Sequence, residues 1–164
     1  MAGIPQGFHT ITPQIHVTNG DKAIALYKKA LGAKELHRIL APGTKTIMHA
    51  CLEIGSSKLF LSDHTGQPQP PKGANSSFYI YVENIDTAHK KAVSAGMKES
   101  MPPTDMFWGD RMSGVTDPFG HNWNLATFKR QVPPDEMMKA MKEQFGGAMA
   151  DQKKPSKKAA AAKK

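Results

Sequence analysis

The chain contains an internal repeat, and this repeat limits the possible fold more than any other feature of the sequence. The pattern Val17-x-Asn19-x-Asp21-x-Ala23 returns 65 residues later as Val82-x-Asn84-x-Asp86-x-Ala88. Gly32-Ala33-Lys34-Glu35 returns 64 residues later as Gly96-Met97-Lys98-Glu99. Because the order and the spacing of both pairs agree, we interpret the chain as two copies of one module.

The first copy predicts one strand, one helix and three further strands. Residues His9 to Val17 alternate between apolar and polar, which is typical of a half-buried strand. A helix follows, capped by Asn19 or Asp21 and ended by Gly32. The same reasoning predicts three more strands, at Lys34 to Ala41, Thr46 to Ile54 and Lys58 to Ser62.

The second copy repeats this order. Ser77 to Glu83 is predicted as a strand, and Asn84 or Asp86 caps a helix that ends at Gly96. Further strands are predicted within Met101 to Thr116 and His121 to Phe128. The expected fold class is therefore α+β, with two paired βαβββ modules (about 9–63 and 77–128) enclosing a concave mixed-sheet cavity in a domain of residues 1–130.

Three segments lie outside this repeat. The residues from His64 to Ser76 are rich in Pro, Gly and Gln and are interpreted as a linker. Residues 131–150 are predicted to form an added amphipathic helix. Its stripe of Met138, Met141 and Phe145 either docks on the sheet or serves as a lid or a partner-binding surface. Residues 151–164 are predicted to be a disordered basic tail of Lys, Ala and Pro.

Charge and cysteine content restrict the functional classes. The net charge is +8, but the last fourteen residues hold six Lys and one Asp, so their +5 leaves only +3 for the rest. We expect nucleic acid or another polyanion to be contacted, if at all, through Lys153 to Lys164. A single cysteine, Cys51, excludes an intramolecular disulfide, and no signal peptide or apolar span is apparent, so a cytoplasmic protein is expected.

The densest stretch is Phe107 to Asn124. It contains a type I turn signal, Asp117-Pro118-Phe119-Gly120, between two predicted strands. The entrance of this hairpin carries Phe107, Trp108, Asp110 and Arg111. Aromatic rings beside a guanidinium can recognise a planar or anionic ligand; alternatively, Asp110 and Arg111 form an internal salt bridge.

Strand alternation predicts which side chains line the cavity. The apolar residues of each strand should pack on the helices, so the alternate residues should face the cavity. These are Thr12, Gln14, His49, Cys51, Phe60, Ser62, Ser77, Tyr79, Tyr81, Asn122 and Asn124. Hydroxyls, amides and aromatic rings suit an organic ligand. A Cys51–His49 nucleophile pair is chemically possible, although a lone strand cysteine is more often a packing residue.

The paired modules and the DPFG-x-x-W ending resemble the vicinal oxygen chelate superfamily, which includes glyoxalase I, extradiol dioxygenases and bleomycin-resistance proteins. Four motifs look like its PhnB-like branch: YKKALGA at 27–33, MHA at 48–50, LSD at 61–63 and FWGDR at 107–111. The resemblance covers about residues 9–128. It implies the fold and a homodimer, and it shows Cys51 where relatives often carry Glu.

Metal-using members of this superfamily bind an ion with His and Glu from four strands. The corresponding positions here are Thr12, Phe60, Ser77 and Asn124, and none of them is His, Asp or Glu. The resemblance therefore predicts no metal ligand and no catalytic residue at these positions. An alternative is a divalent metal at a relocated site that uses His49, Glu53 and another His.

The sequence predicts a metal-free member that binds a small organic molecule. The predicted contacts are Thr12, Gln14, His49, Phe60, Ser77, Tyr79, Phe107, Trp108, Arg111 and Asn124. A metal-dependent lyase or dioxygenase with the relocated site is the alternative, and a polyanion-associated protein acting through its tail is a third.

Overall fold

The computed structural model describes residues 4–64 and 77–151. The predicted linker, apart from His64, and the predicted basic tail after Asp151 lie outside the described residues. The elements follow the predicted order: β1 Gln14–Val17, α1 Gly20–Leu31, β2 Lys34–Leu40, β3 Ile47–Ile54, β4 Ser57–Asp63, β5 Ser77–Tyr81, α2 Ile85–Ser94, β6 Lys98–Asp105, β7 Asp110–Thr116, β8 Asn122–Phe128 and α3 Pro134–Asp151.

Each module forms its own four-stranded mixed sheet. Sheet A has the strand order β1-β4-β3-β2, and sheet B has the equivalent order β5-β8-β7-β6. In both sheets the first strand runs parallel to the last strand of its module, and the other pairs are antiparallel. The prediction of two βαβββ modules and the α+β class is confirmed.

The helix caps resolve the alternatives that the sequence left open. Asn19 accepts a hydrogen bond from the backbone N–H of Lys22, and Asn84 does the same for Thr87, both at 3.0 Å. The asparagines are therefore the caps. The aspartates two residues later lie in the first helical turn, where a negative charge favours the positive end of the helix dipole.

Strand β1 begins at Gln14 and not at His9, so the longer predicted strand is wrong. Pro13 has no backbone N–H to donate, and its carbonyl accepts the last ladder bond from the N–H of Phe60 at 2.9 Å. Ahead of this point the chain does not simply extend into solvent, because the ring of Phe8 packs 5.8 Å from that of Phe60.

One continuous apolar core joins the two modules. Helices α1 and α2 contact each other, and each also packs on its own sheet. Tyr27 of α1 is fully buried and crosses to the second module, where its ring lies 5.2 Å from Trp123 and 6.4 Å from Phe119. Packing of this kind makes the two modules one folding unit.

A buried carboxylate, Asp117, holds this junction together. It accepts hydrogen bonds from the Tyr27 hydroxyl at 2.7 Å and from Trp123 Nε1 at 2.9 Å. Its other oxygen accepts the backbone N–H groups of Phe119 and His121, both at 2.9 Å. The predicted turn is present, but its first residue also connects α1 to sheet B. Burial, and then the charge of Asp117, raise the pKa of the Tyr27 hydroxyl.

Helix α3 leaves Met138, one residue of its predicted apolar stripe, exposed. Met138 is 51% exposed and Met141 is half-buried, while the side chain of Phe145 lies outside the described residues. Within residues 4–64 and 77–151, no helix is both long and apolar enough to cross a membrane.

Replacing Asp117 should cost more stability than its size suggests. In Asp117→Ala, four donors lose their acceptor, two of them from buried rings, so we expect a loss of roughly 3 kcal/mol in the free energy of unfolding. Tyr27→Phe removes one of these bonds and should cost about 1 kcal/mol. Urea denaturation measures both.

The matched control is Asp135→Ala, since Asp135 is an exposed aspartate of α3. It should change the free energy of unfolding by no more than about 0.5 kcal/mol. If Asp117→Ala were as mild as this control, Asp117 would not hold the junction.

Candidate functional site

Each sheet has one face turned away from the helices, which we call its open face. On sheet A, Ile15, Leu52 and Leu61 belong to the core beneath α1. Their strand neighbours therefore point the other way, to the open face. The same alternation on sheet B puts Trp123 and Leu125 in the core and Asn122 and Asn124 on the open face.

Two rows of paired residues cross the open face of sheet A. The first row contains His37, Cys51, Phe60 and Gln14, and the second is made of the two pairs Ile39–His49 and Ser62–His16. The His49 ring lies 4.7 Å from Phe60 and 5.4 Å from His37. Ser62 Oγ lies 2.8 Å from Nδ1 of His16. Gln14, His49, Cys51, Phe60 and Ser62 therefore lie on one face, as alternation predicts, and their contact with a ligand stays a prediction. His16 and His37 were not predicted as site residues.

Two features of sheet A bear on the relocated metal site. The Glu53 carboxylate accepts a hydrogen bond from the Lys58 ammonium, which lowers the pKa of Glu53. The His49 ring is packed between the rings of Phe60 and His37. Within the described ranges, no group of three His, Cys, Asp or Glu side chains is placed to hold a metal ion.

The four superfamily metal positions do not fit an ion either. Nδ2 of Asn124 donates to Ser77 Oγ at 2.7 Å, so these two side chains satisfy each other. Phe60 offers no donor atom, and its ring contacts Phe8 and His49. These side chains are not the anionic and imidazole ligands that catalytic zinc-type centres use, so the four positions do not fit such a metal.

Sheet B carries the aromatic part of the site. Asp110 is only 5% exposed, and its Oδ2 accepts the hydroxyl groups of Tyr79 at 2.8 Å and Tyr81 at 3.2 Å. Burial and the bond to Asp110 raise the pKa of Tyr79 to about 12, against a smaller opposing effect of a hydrogen bond from Trp108. The two tyrosine rings lie 5.3 Å apart, and the rings of Phe107 and Trp108 lie 4.9 Å apart at 85°.

The structure does not bring Arg111 to this face. Arg111 donates to Asp86 of α2 at 2.9 and 3.2 Å and to Asp105 at 3.3 Å, on the helix side of the sheet. Asp110 precedes it in the same strand and therefore points to the open face. The expected contact between Arg111 and a ligand on the open face is corrected accordingly, and the alternative Asp110–Arg111 salt bridge is not formed.

The other predicted contacts fall into two groups. Gln14, His49 and Phe60 lie on sheet A, with Thr12 half-buried just ahead of β1. Ser77, Tyr79 and Asn124 lie on sheet B, with Phe107 and Trp108 in the loop before β7. Leaving Phe107 aside, no hydrogen bond or ring contact joins the two groups in the part of the chain that the structure describes. Asp110 was predicted to lie beside Trp108 at the hairpin entrance, but it was not predicted to contact the ligand.

A cleft of about 490 Å³ lies beside the edge strand β5. The β3–β4 hairpin and the start of β4 form its other wall. Its lining residues are Pro13, Ile54, Ser56, Ser57, Lys58, Leu59, Ser77, Phe78, Tyr79, Ile80, Tyr81 and Trp123. Tyr79 and Tyr81 of sheet B also line this cleft, so the cleft connects these tyrosines with the β3–β4 hairpin of the first module.

Comparison with known proteins agrees with this architecture. Residues 7–125 match the model of the Glyoxalase/Bleomycin resistance protein/Dioxygenase superfamily. The chain therefore belongs to this superfamily, as its motifs predicted. It is 34% identical over 145 residues to the uncharacterized protein Rv0887c of Mycobacterium tuberculosis H37Rv, covering 84% of this chain and 85% of that protein.

Two solved structures share the fold. A bleomycin-binding protein, solved in complex with bleomycin, is 20% identical with a TM-score of 0.57, covering 74% of this chain and 99% of that one. The PhnB protein of Bacillus cereus is 14% identical with a TM-score of 0.59, covering 73% and 99%. At these identities the likeness establishes the fold.

Cys51 should behave as a buried packing residue and not as an activated nucleophile. It is fully buried, and this burial raises the pKa of its thiol. We expect its reaction with a disulfide reagent at pH 7 to be at least about tenfold slower in the folded protein than in the unfolded chain. His49→Ala should leave the pH profile of this reaction unchanged; a profile that depended on His49 would restore the Cys–His pair.

Proposed function

We propose that this protein is a PhnB-like member of the superfamily that binds a small organic molecule on its open sheet faces, without a catalytic metal. The observation that carries this proposal is the open face of sheet B. There, partly exposed aromatic rings lie beside hydroxyl and amide groups, which is the mixture that ligand pockets use for stacking and orientation.

The proposed contacts from sheet B are the aromatic side chains Tyr79, Phe107 and Trp108 and the polar pair Ser77 and Asn124. Sheet A would add hydrogen bonds and one further ring through Thr12, Gln14, His49 and Phe60. The bleomycin-binding protein binds an organic molecule on the same fold. That precedent supports the class of ligand and does not name it.

We also propose that the open faces are covered in a homodimer. Ile39, Tyr81 and Phe128 lie on open faces and are 57%, 63% and 60% exposed. Ile39 lies on sheet A, and Tyr81 and Phe128 lie on sheet B, so each open face presents exposed apolar surface of the kind that marks an interaction site. If the open face of one chain covers that of a second, the two separate groups of contacts would come together around one ligand.

Ligand binding should depend on Trp108 and not on Arg111. A thermal-shift screen of small organic molecules supplies a ligand, and calorimetry then measures its affinity for two variants. We expect Trp108→Ala to weaken binding by about tenfold or more, because it removes a stacking ring. Arg111→Ala should leave the affinity nearly unchanged, because Arg111 lies on the helix side.

Two results would contradict this assignment. One is a loss of affinity in Arg111→Ala that equals the loss in Trp108→Ala. The other is a screen in which no organic molecule raises the melting temperature of the wild-type protein, which would argue against the binding function itself.

A charge on the open face of sheet A should separate the dimer. Ile39→Asp places a carboxylate in the proposed interface, where it would have to lose its hydration. We expect light scattering after size-exclusion chromatography to show a dimer for the wild type and a monomer for this variant. Val93→Asp is the control, since Val93 is 40% exposed on α2, away from both open faces. Monomeric wild-type protein would refute the proposed dimer.

A further inference from the structure

We propose that the open face of sheet B recognises a positively charged group of the ligand, an ammonium or guanidinium, through Asp110 and the rings around it. This inference rests on the proposed binding function and adds the chemical class of the ligand. It concerns Tyr79, Tyr81, Trp108 and Phe128 together with Asp110, which we call the aromatic–carboxylate cluster.

The carboxylate of Asp110 is buried without a cationic side chain to pair with it among the described residues. It is 5% exposed, yet within residues 4–64 and 77–151 no Lys, Arg or His side chain forms an ion pair with it. The nearest arginine in sequence, Arg111, pairs with Asp86 and Asp105. Taking a carboxylate out of water without a cation is unfavourable, so this site gains most from a cationic ligand.

A second buried aspartate shows what a satisfied site looks like. Asp117 is 4% exposed, and its two oxygens share four donors, two from rings and two from the backbone. At Asp110, both hydrogen bonds from described residues go to one oxygen, Oδ2. The other oxygen therefore keeps its capacity to accept a charged donor from a ligand.

The rings beside Asp110 suit a cation. Tyr79 and Tyr81 are 43% and 63% exposed, so ring surface is available to a ligand. Phe128 is 60% exposed and pairs directly with Asp110 across β7 and β8. A cation is attracted to the face of an aromatic ring, most strongly for Trp and Tyr, and a nearby carboxylate adds to this attraction.

The protein's own positive charges do not oppose this inference. The net charge of +8 belongs largely to the last fourteen residues. Around sheet B, the positive charges of Arg111, Lys90 and Lys129 act on Asp86, at the start of α2. An anionic ligand would meet the Asp110 charge, and a neutral one would leave it unpaired.

The test compares two cations with neutral molecules of similar shape. Choline is paired with 3,3-dimethylbutan-1-ol, and benzylamine with benzyl alcohol. Binding to the full-length protein is followed by the NMR signal of the Trp108 indole N–H, which Trp108→Phe assigns. The buried Trp123 indole, which donates to Asp117, reports whether the fold is intact. We expect each cation to bind at least about tenfold more tightly than its neutral partner.

Two substitutions that each remove one carboxylate charge make the test specific. Asp110→Asn should abolish the preference for the cations. Asp105→Asn should retain it, because Asp105 is 78% exposed in its side chain and pairs with Arg111 on the other face. Tyr81→Leu removes an exposed ring without changing charge and should weaken cation binding at least about threefold.

Three results would overturn the inference. They are equal binding of a cation and its neutral partner, a preference for the cation that survives Asp110→Asn, and no cation binding at concentrations up to roughly 50 mM. Each leaves the proposed function open to its own test. A neutral or anionic molecule found by the thermal-shift screen, with binding that depends on Trp108, would keep the binding function and reject the cationic ligand.

Discussion

The arrangement of the two modules depends on the hydrogen bonds that the Asp117 carboxylate accepts. This carboxylate lies at the turn between β7 and β8, yet it accepts the hydroxyl of Tyr27 from the first module's helix. Through Tyr27 and Trp123 it joins the helix side of one module to that of the other. The modules are therefore fastened by their helix sides, and the open face of each sheet remains available for other contacts.

This arrangement places structural residues and proposed binding residues within a few positions of each other on one strand. On β7, alternate side chains point to the helices or to the open face, so Asp110 and Arg111 have opposite surroundings. Arg111 forms ion pairs with Asp86 of α2 and Asp105 of β6, while Asp110 accepts hydrogen bonds from two tyrosine hydroxyls. The two buried aspartates also differ. Both oxygens of Asp117 accept hydrogen bonds, whereas the described residues donate to only one oxygen of Asp110.

Much of the fold could be predicted because it rests on local rules that occur twice. Asn19 and Asn84 cap equivalent helices, and the repeat offset placed every strand in the correct module. The lining of the open faces followed from alternation alone. Strand ends that depend on pairing with a distant strand were harder to predict. At β1, Pro13 has no N–H to donate to the neighbouring strand, and the strand is shorter than predicted.

The errors in the site have the same physical origin. Strands were predicted within Met101 to Thr116, with Phe107, Trp108, Asp110 and Arg111 at the hairpin entrance, whereas the structure separates β6 from β7 at residues 106–109 and begins β7 at Asp110. Without that break, the face of Arg111 could not be assigned. The hydrogen bond from Tyr79 to Asp110 joins residues 31 positions apart, and no local sequence pattern predicts it.

The central claim is that two chains join their open faces around one organic molecule. Native mass spectrometry of the purified protein, without added metal or chelator, tests this claim in one spectrum. The account predicts a dimer that carries an organic adduct and loses it under activation, with no metal at one per subunit. A monomer without an adduct, or a dimer with one tightly bound metal ion per subunit, would contradict it.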